Sequence, residues 1–175
     1  TKIGIWSGVF LNVFFIFGSS PVFSNPRPEV LLLYKAIEGG DLDEAKKLFI
    51  DIDVNFQNSW GYTPLYKAVF YKRLDFVEYL FKSGADIDLT DVEGLAPIHV
   101  AALENLPDIA QALKDQGADI EAKDKYGYTP LHLAADQGSL HAARQLIYVG
   151  ADVNSRSEWG GTPLHASVAN KNIDL

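Results

Sequence analysis

The 175 residues include no cysteine and no methionine. Without cysteine there can be no disulfide framework, thiolate zinc site, cysteine nucleophile or cysteine-linked acyl group, although the compartment stays open on this ground alone. Basic charge is also scarce: 15 Lys and Arg stand against 23 Asp and Glu, for a formal charge of −8 and a pI near 4.9. A general electrostatic grip on nucleic-acid phosphate or anionic lipid is therefore disfavoured, and a protein is the better starting expectation for a partner. No GxSxG elbow, GxxxxGK(S/T) loop or GxGxxG turn occurs. What is present is apolar substance: 47% hydrophobic and 22% charged residues with mean hydropathy −0.01, which exclude disorder through low hydrophobicity and suit about one domain.

Residues 1 to 26 form a separate regime whose single charge is Lys2. An apolar run from Ile3 to Phe17 follows, broken by Gly4, Ser7, Gly8 and Asn12, and then comes Gly18-Ser19-Ser20-Pro21-Val22-Phe23-Ser24-Asn25. The pattern resembles a secretory signal peptide: the run is shorter than the roughly 20 residues of an upright membrane span, and small residues suit a leader peptidase. Cleavage is expected after Ser24, because a cut after Ser20 would put Pro21 where an extended protease substrate needs its N–H. Residues 1–24 are thus read as a signal peptide or an uncleaved membrane anchor, and residues 25–28 as a stiff linker. The repeats are expected to be secreted or periplasmic in the first case and held at a membrane in the second.

A 33-residue period runs through the remainder. Gly61, Gly94, Gly127 and Gly160 recur at that interval, each followed two positions on by Thr63-Pro64-Leu65, Ala96-Pro97-Ile98, Thr129-Pro130-Leu131 or Thr162-Pro163-Leu164. Gly84-Ala85-Asp86, Gly117-Ala118-Asp119 and Gly150-Ala151-Asp152 keep the same interval, and Thr129 to Ala134 reads Thr-Pro-Leu-His-Leu-Ala. Four registers of this motif resemble the ankyrin-repeat family over residues 29–175. The resemblance implies an all-α solenoid of about four and a half repeats, each two antiparallel helices and a β-hairpin, over about 29–58, 59–91, 92–124, 125–157 and 158–175.

Each repeated residue has a physical task. Thr129 can cap a helix, Pro130 fits its first position, and Leu131, Ala134 and Ala135 give it an apolar face, while Gly138 ends it. Leu140, Ala143, Leu146 and Ile147 make a second amphipathic helix that Gly150 terminates. In the turn Asp124-Lys125-Tyr126-Gly127, Asp bonds the backbone and Gly takes positive φ; Asn58, Asp91 and Ser157 hold the Asp position elsewhere. The first repeat has Leu31 and Leu32 in place of Thr and Pro and reads as an N-terminal cap, and the third has Asn105 in place of glycine with Pro107 opening its second helix. Ile173-Asp174-Leu175 aligns with the start of a second helix, so the fifth repeat is expected to be incomplete and the chain to continue, with a larger enzyme or effector as one alternative.

Candidate chemistry falls back into this grammar. His99, His132 and His165 share one register about 8–10 Å apart, too far for one zinc ion with ligands at about 2 Å, and their expected role is to hydrogen-bond loop backbone. Asp86, Asp88, Asp91 and Glu93 lack the glycine a calcium loop needs at its sixth position, which Asp91 occupies, and much of the cluster recurs as Asp119, Glu121 and Asp124. No catalytic, metal or cofactor residue, and no small-molecule substrate, is expected. Recognition residues are sought where repeats differ. Trp60, Glu93, Tyr126 and Trp159 precede the turn glycines; Tyr62, Leu95 and Tyr128 follow three of them. Phe70, Tyr71, Leu103, Glu104, Asp136 and Gln137 end the inner helices. The ankyrin resemblance implies that fingertips and inner helices form a concave protein-binding face, and aromatics with a polar handle suit an interface. The alternative reading of Tyr62 and Tyr128 is packing on the neighbouring hairpin. A row of Trp60, Tyr126 and Trp159 interrupted by Glu93 suggests a partner with apolar pockets and a basic residue opposite Glu93.

Overall fold

Proline with a hydroxyl before it starts a helix here for two separable reasons: the ring has no N–H to leave orphaned, and the hydroxyl accepts one of the N–H groups that the first turn cannot pair. A computed structural model of the protein describes residues 27–171. It places such starts at α3 (Pro64–Phe70), α7 (Pro130–Gln137) and α9 (Pro163–Ala169), and at α5 (Pro97–Leu103) with Ala96 in the cap position. The Thr63 hydroxyl accepts the Tyr66 N–H at 3.0 Å. In α5, where the hydroxyl is missing, the His99 N–H donates to the Ala96 carbonyl at 2.9 Å, and His99 Nδ1 accepts the Ala96 N–H at 3.1 Å.

Each inner helix stops at one residue of left-handed backbone: Gly40, Lys72, Asn105, Gly138 and Lys171. The chain then turns into the second helices α2 (Leu42–Leu48), α4 (Leu74–Lys82), α6 (Pro107–Asp115) and α8 (Leu140–Tyr148). Their buried positions repeat in register as Phe76, Val77 and Leu80, then Ile109, Ala110 and Leu113, then Ala142, Ala143 and Leu146. The small residues Ala110 of α6 and Ala142 and Ala143 of α8 let those two helices approach closely, and each fully buried Leu or Phe contributes about 2 kcal/mol through lost apolar exposure. The first inner helix, α1 (Pro28–Gly39), is longer than its counterparts because it begins at Pro28. Pro28 therefore belongs to the helix and not to the linker expected at 25–28. The expected signal segment lies outside the described residues, as do Ile173 to Leu175.

The helices α1, α3, α5, α7 and α9 stack one on the next, and α4, α6 and α8 form a second layer behind them. A single core runs the length of the stack, from Val30 and Leu33 to Leu146 and Ala151. This is an all-α repeat solenoid. No strand occurs among the described residues; the expected hairpins are fingers too short for a ladder, closed by one backbone pair each. No helix among them is long and apolar enough to cross a membrane.

Candidate protein-binding surface

The fingers owe their shape to one acceptor apiece. The Asp91 carboxylate accepts the N–H groups of Glu93 and Leu95 at 2.8 and 2.9 Å, and Asp124 does the same for Tyr126 and Tyr128 at 2.8 Å each. Asn58 offers its amide oxygen to Trp60 and Tyr62. Burial pushes the Asp91 and Asp124 carboxyls above the usual range, although the backbone donors pull the other way. Each finger then rests on its neighbour: the N–H of Val92, Lys125 and Glu158 donates to the carbonyl of Trp60, Glu93 and Tyr126. Gly94 shows how close that contact is. Its φ of +83° favours glycine, and a Cβ there would stand 2.9 Å from the Lys125 nitrogen.

These bonds set the residue before each turn glycine at a tip, one tip per repeat. Trp60 is 40% exposed and Trp159 59%. Tyr126 stacks on Trp159 with centroids 5.7 Å apart, and Tyr128 meets the same indole at 5.7 Å in a tilted arrangement, so three expected recognition residues form one aromatic cluster. Glu93 is not waiting for a basic residue of a partner. Lys125 of the next finger pairs with it and also lies 5.0 Å over the Tyr126 ring. Both groups are partly exposed, so solvent screens the pair, but the charge at this tip is answered within the chain.

Other candidates separate by burial. Leu95 is 4% exposed and belongs to the core. Asp136 is also buried, accepting from the amides of Asn170 and Gln137, and burial raises its carboxyl. Neither presents a face to a partner, since the apolar packing behind a finger and the seam between α7 and α9 take them. Glu104 pairs with Lys72 at 3.2 Å, while the Leu103 side chain is half-buried and its carbonyl accepts the Ser139 hydroxyl.

Tyr62, Phe70 and Tyr71 converge on a residue not expected from the sequence. Lys67, 7% exposed, directs its ammonium over the rings of Tyr62 at 4.5 Å, Phe70 at 5.6 Å, Tyr34 at 5.7 Å and Tyr71 at 5.9 Å. Tyr62 is further fixed by stacking on Tyr66 at 4.5 Å and by the Tyr34 hydroxyl, which donates to its carbonyl at 2.8 Å. Burial holds the Lys67 amine down to about 8, against a smaller upward pull from Glu38. The signal was available in the period: Val100, Leu133 and Ala166 stand at this register in the later repeats, and the first repeat has Lys35 there, exposed where Lys67 is buried.

The histidines are occupied by backbone. His99 and His132 accept the Ala96 and Thr129 N–H through Nδ1, and their Nε2 atoms reach the carbonyls of Tyr128 and Gly161 in the next finger at 3.3 and 3.0 Å. His165 repeats the first bond at a more exposed site. In His99 and His132, with Nδ1 accepting, the proton sits on Nε2 and the ring is neutral; burial pushes His99 down to about 4 and lowers His132 as well. His141, off this ladder, lies 3.3 Å from the Asn105 amide. The acids once weighed for calcium likewise serve turns: Asp86 accepts the Asp88 N–H, Asp119 the Glu121 N–H, and Glu121 the Asp152 N–H. No cluster able to hold a metal ion occurs among the described residues.

With the repeat geometry in place, comparison with known families agrees with it. Residues 98–175 match a model of ankyrin repeats in three copies, and residues 47–101 match a second model of ankyrin repeats in many copies. No curated protein matches the chain. The chain belongs to the ankyrin-repeat family, whose domains are protein–protein interaction modules.

Proposed function

We propose that this chain is exported and binds a protein partner through its fingertips and the adjoining inner-helix surface, without catalysis of its own. The observation that carries the binding surface is the Tyr126, Tyr128 and Trp159 cluster, in which two tyrosines hold a 59% exposed indole in place at a fingertip. A side chain already held in its bound orientation loses little rotamer freedom on contact, the economy that makes Trp and Tyr frequent binding hot spots. The binding reading is also supported by the histidines, whose ring nitrogens are engaged by backbone and leave no free base beside a nucleophile. Export rests on Lys2, the apolar run from Ile3 to Phe17 and the Val22-Phe23-Ser24 exit, and Asn25 as the mature N-terminus by mass spectrometry checks it; an intact Ile3 in membrane-extracted protein refutes cleavage.

A partner captured by cross-linking in the native compartment provides the binding test. Trp60→Ala, Tyr126→Ala and Trp159→Ala should each weaken its affinity by about 2 kcal/mol while shifting the unfolding midpoint little. Undiminished affinity in all three would remove the fingertip surface.

A further inference from the structure

Glu158 and Trp159 lean on one stretch of the preceding finger. The Trp159 indole stacks on Tyr126 and meets Tyr128 at a tilt, while the Glu158 side chain crosses the glycine between them: a Cβ built on Gly127 would stand 3.0 Å from Glu158 Cγ. The backbone fixes this register, because the Glu158 N–H donates to the Tyr126 carbonyl at 3.2 Å. One tip therefore presents a 59% exposed indole and an exposed carboxylate together. Among the described residues no hydrogen bond or ion pair engages that carboxylate, and the cations of these two fingers are committed elsewhere. Lys125 pairs with Glu93, Arg156 donates to the Gly160 carbonyl and Lys123 to the Arg156 carbonyl.

We propose that Trp159 and Glu158 together receive one arginine side chain of the bound protein, its guanidinium laid against the exposed indole and donating to the Glu158 carboxylate. This inference rests on the protein-binding reading above and names the group recognised at that tip. Indole attracts a cation more strongly than the other ring faces, and a guanidinium is planar and weakly hydrated, so it can stack on the ring while its N–H fork meets a carboxylate. An ammonium offers only a compact, strongly hydrated charge. The fold already sets a cation over a fingertip ring, since the Lys125 ammonium lies 5.0 Å over Tyr126. A net charge of −8 draws a basic partner surface and opposes an acidic one. An apolar side chain would cover the indole but leave Glu158 desolvated without a partner, so the pair also discriminates against it. Trp60 follows Ser59 and lacks the acid, which makes it the internal comparison.

The first arm of the test needs no partner. In protein carrying nitrogen-15 at the tryptophan indoles, titration with the peptide acetyl-Gly-Arg-Gly-amide at constant ionic strength should shift the Trp159 N–H signal saturably and leave that of Trp60 nearly still. The same peptide with citrulline for arginine, equal in shape but uncharged, should not shift it, and the lysine peptide should bind more weakly. Glu158→Gln keeps the stem over Gly127 and should weaken the arginine peptide by about threefold or more with the unfolding midpoint unchanged. No saturable shift, an equal response to citrulline or lysine, or undiminished binding in Glu158→Gln overturns the proposal. The wild-type titrations decide it even should that variant fold poorly. Once a partner is captured, Glu158→Gln and Trp159→Leu should each weaken binding by about tenfold, because leucine keeps an apolar surface and loses the ring. Loss of binding in Trp159→Ala with none in Glu158→Gln refutes this inference and leaves the protein-binding reading intact. Failure of the wild type to capture any partner would instead count against that reading, with the peptide titrations still deciding the chemistry of the tip.

Discussion

The junction between α5 and α7 and the junction between α1 and α3 share a clasp onto the backbone of the next finger and differ in the residue packed beside it. At the inner junction, His99 clasps the next repeat through its bond to the Tyr128 carbonyl, and the adjacent Val100 is buried and apolar. At the outer one, the position in α1 that corresponds to His99 is Tyr34, whose hydroxyl clasps the next repeat at the Tyr62 carbonyl, 2.8 Å away, and whose ring also faces Lys67 of α3. The inner junction has the apolar Val100 beside its clasp. The outer junction has the Lys67 ammonium among four aromatic rings. A repeat protein can thus keep the clasp and change the chemistry beside it while its backbone stays the same.

The largest effect should come from breaking the inner clasp. His99→Ala leaves the Ala96 N–H and the Tyr128 carbonyl without the ring, in a site of 0% exposure, and should cost about 3 kcal/mol by urea unfolding. His165→Ala, at an exposed ring in the same register, should cost under about 1 kcal/mol. Equal losses at the two sites would mean that the ladder stabilises through local capping alone and not through the link to the next repeat.

Acid should expose the same difference. His99 binds a proton near pH 4 in the fold and near its ordinary 6.5 when unfolded, so the unfolded chain takes the proton first. Its contribution is complete above pH 6.5 and is lost as the pH falls toward 4, by up to about 3 kcal/mol at roughly 1.4 kcal/mol per unit of pH. His132 acts in the same direction, while the raised carboxyls of Asp91, Asp124 and Asp136 act in the opposite one and favour the fold as they protonate. Subtracting the stability profile of His99→Gln from that of the wild type removes those shared terms. A flat difference between pH 7 and 4 would show that the ring is not desolvated in the folded state.

The extent to which this could be read from sequence follows the period. Thr63-Pro64 and its equivalents, the turn residues Asn58, Asp91 and Asp124, and Gly94 all act within a few residues of themselves, so their spacing carries the inner helices and the fingers. Asn105 was legible as a glycine substitute for the same reason, and its backbone is left-handed. Contacts between repeats were not legible in this way. Glu93 meets Lys125 only because adjacent fingers lie side by side, which removed the basic partner expected opposite it. Leu95 and Asp136 vary between repeats but are buried, since variation in a register says nothing of which way a side chain faces. Lys67 was overlooked because its box needs Tyr34 from the first repeat, where the motif is weakest.

The smallest effect sharpens the contrast at the helix ends. Lys72 has φ of +61°, the register at which Gly138 ends α7, and an L side chain in that conformation costs roughly 1 kcal/mol relative to glycine. Replacing it also removes the ion pair to Glu104, a partly exposed contact worth at most about 1 kcal/mol, so wild type and Lys72→Gly compared directly would mix two terms. Lys72→Ala loses the same ion pair and keeps the Cβ. Lys72→Gly should therefore be more stable than Lys72→Ala by about 1 kcal/mol in urea unfolding, which isolates the backbone term. Asn105, at the same register with φ of +56°, should behave differently. Its amide oxygen accepts the Ala142 N–H at 2.9 Å and its nitrogen faces His141, so the side chain ties α8 to the end of α5. Asn105→Gly should bring no gain, because relief of the backbone is offset by the donor left at Ala142. A gain at Asn105 as large as that at Lys72 would show that the amide bridge contributes nothing, and that the two helix ends differ in sequence but not in kind.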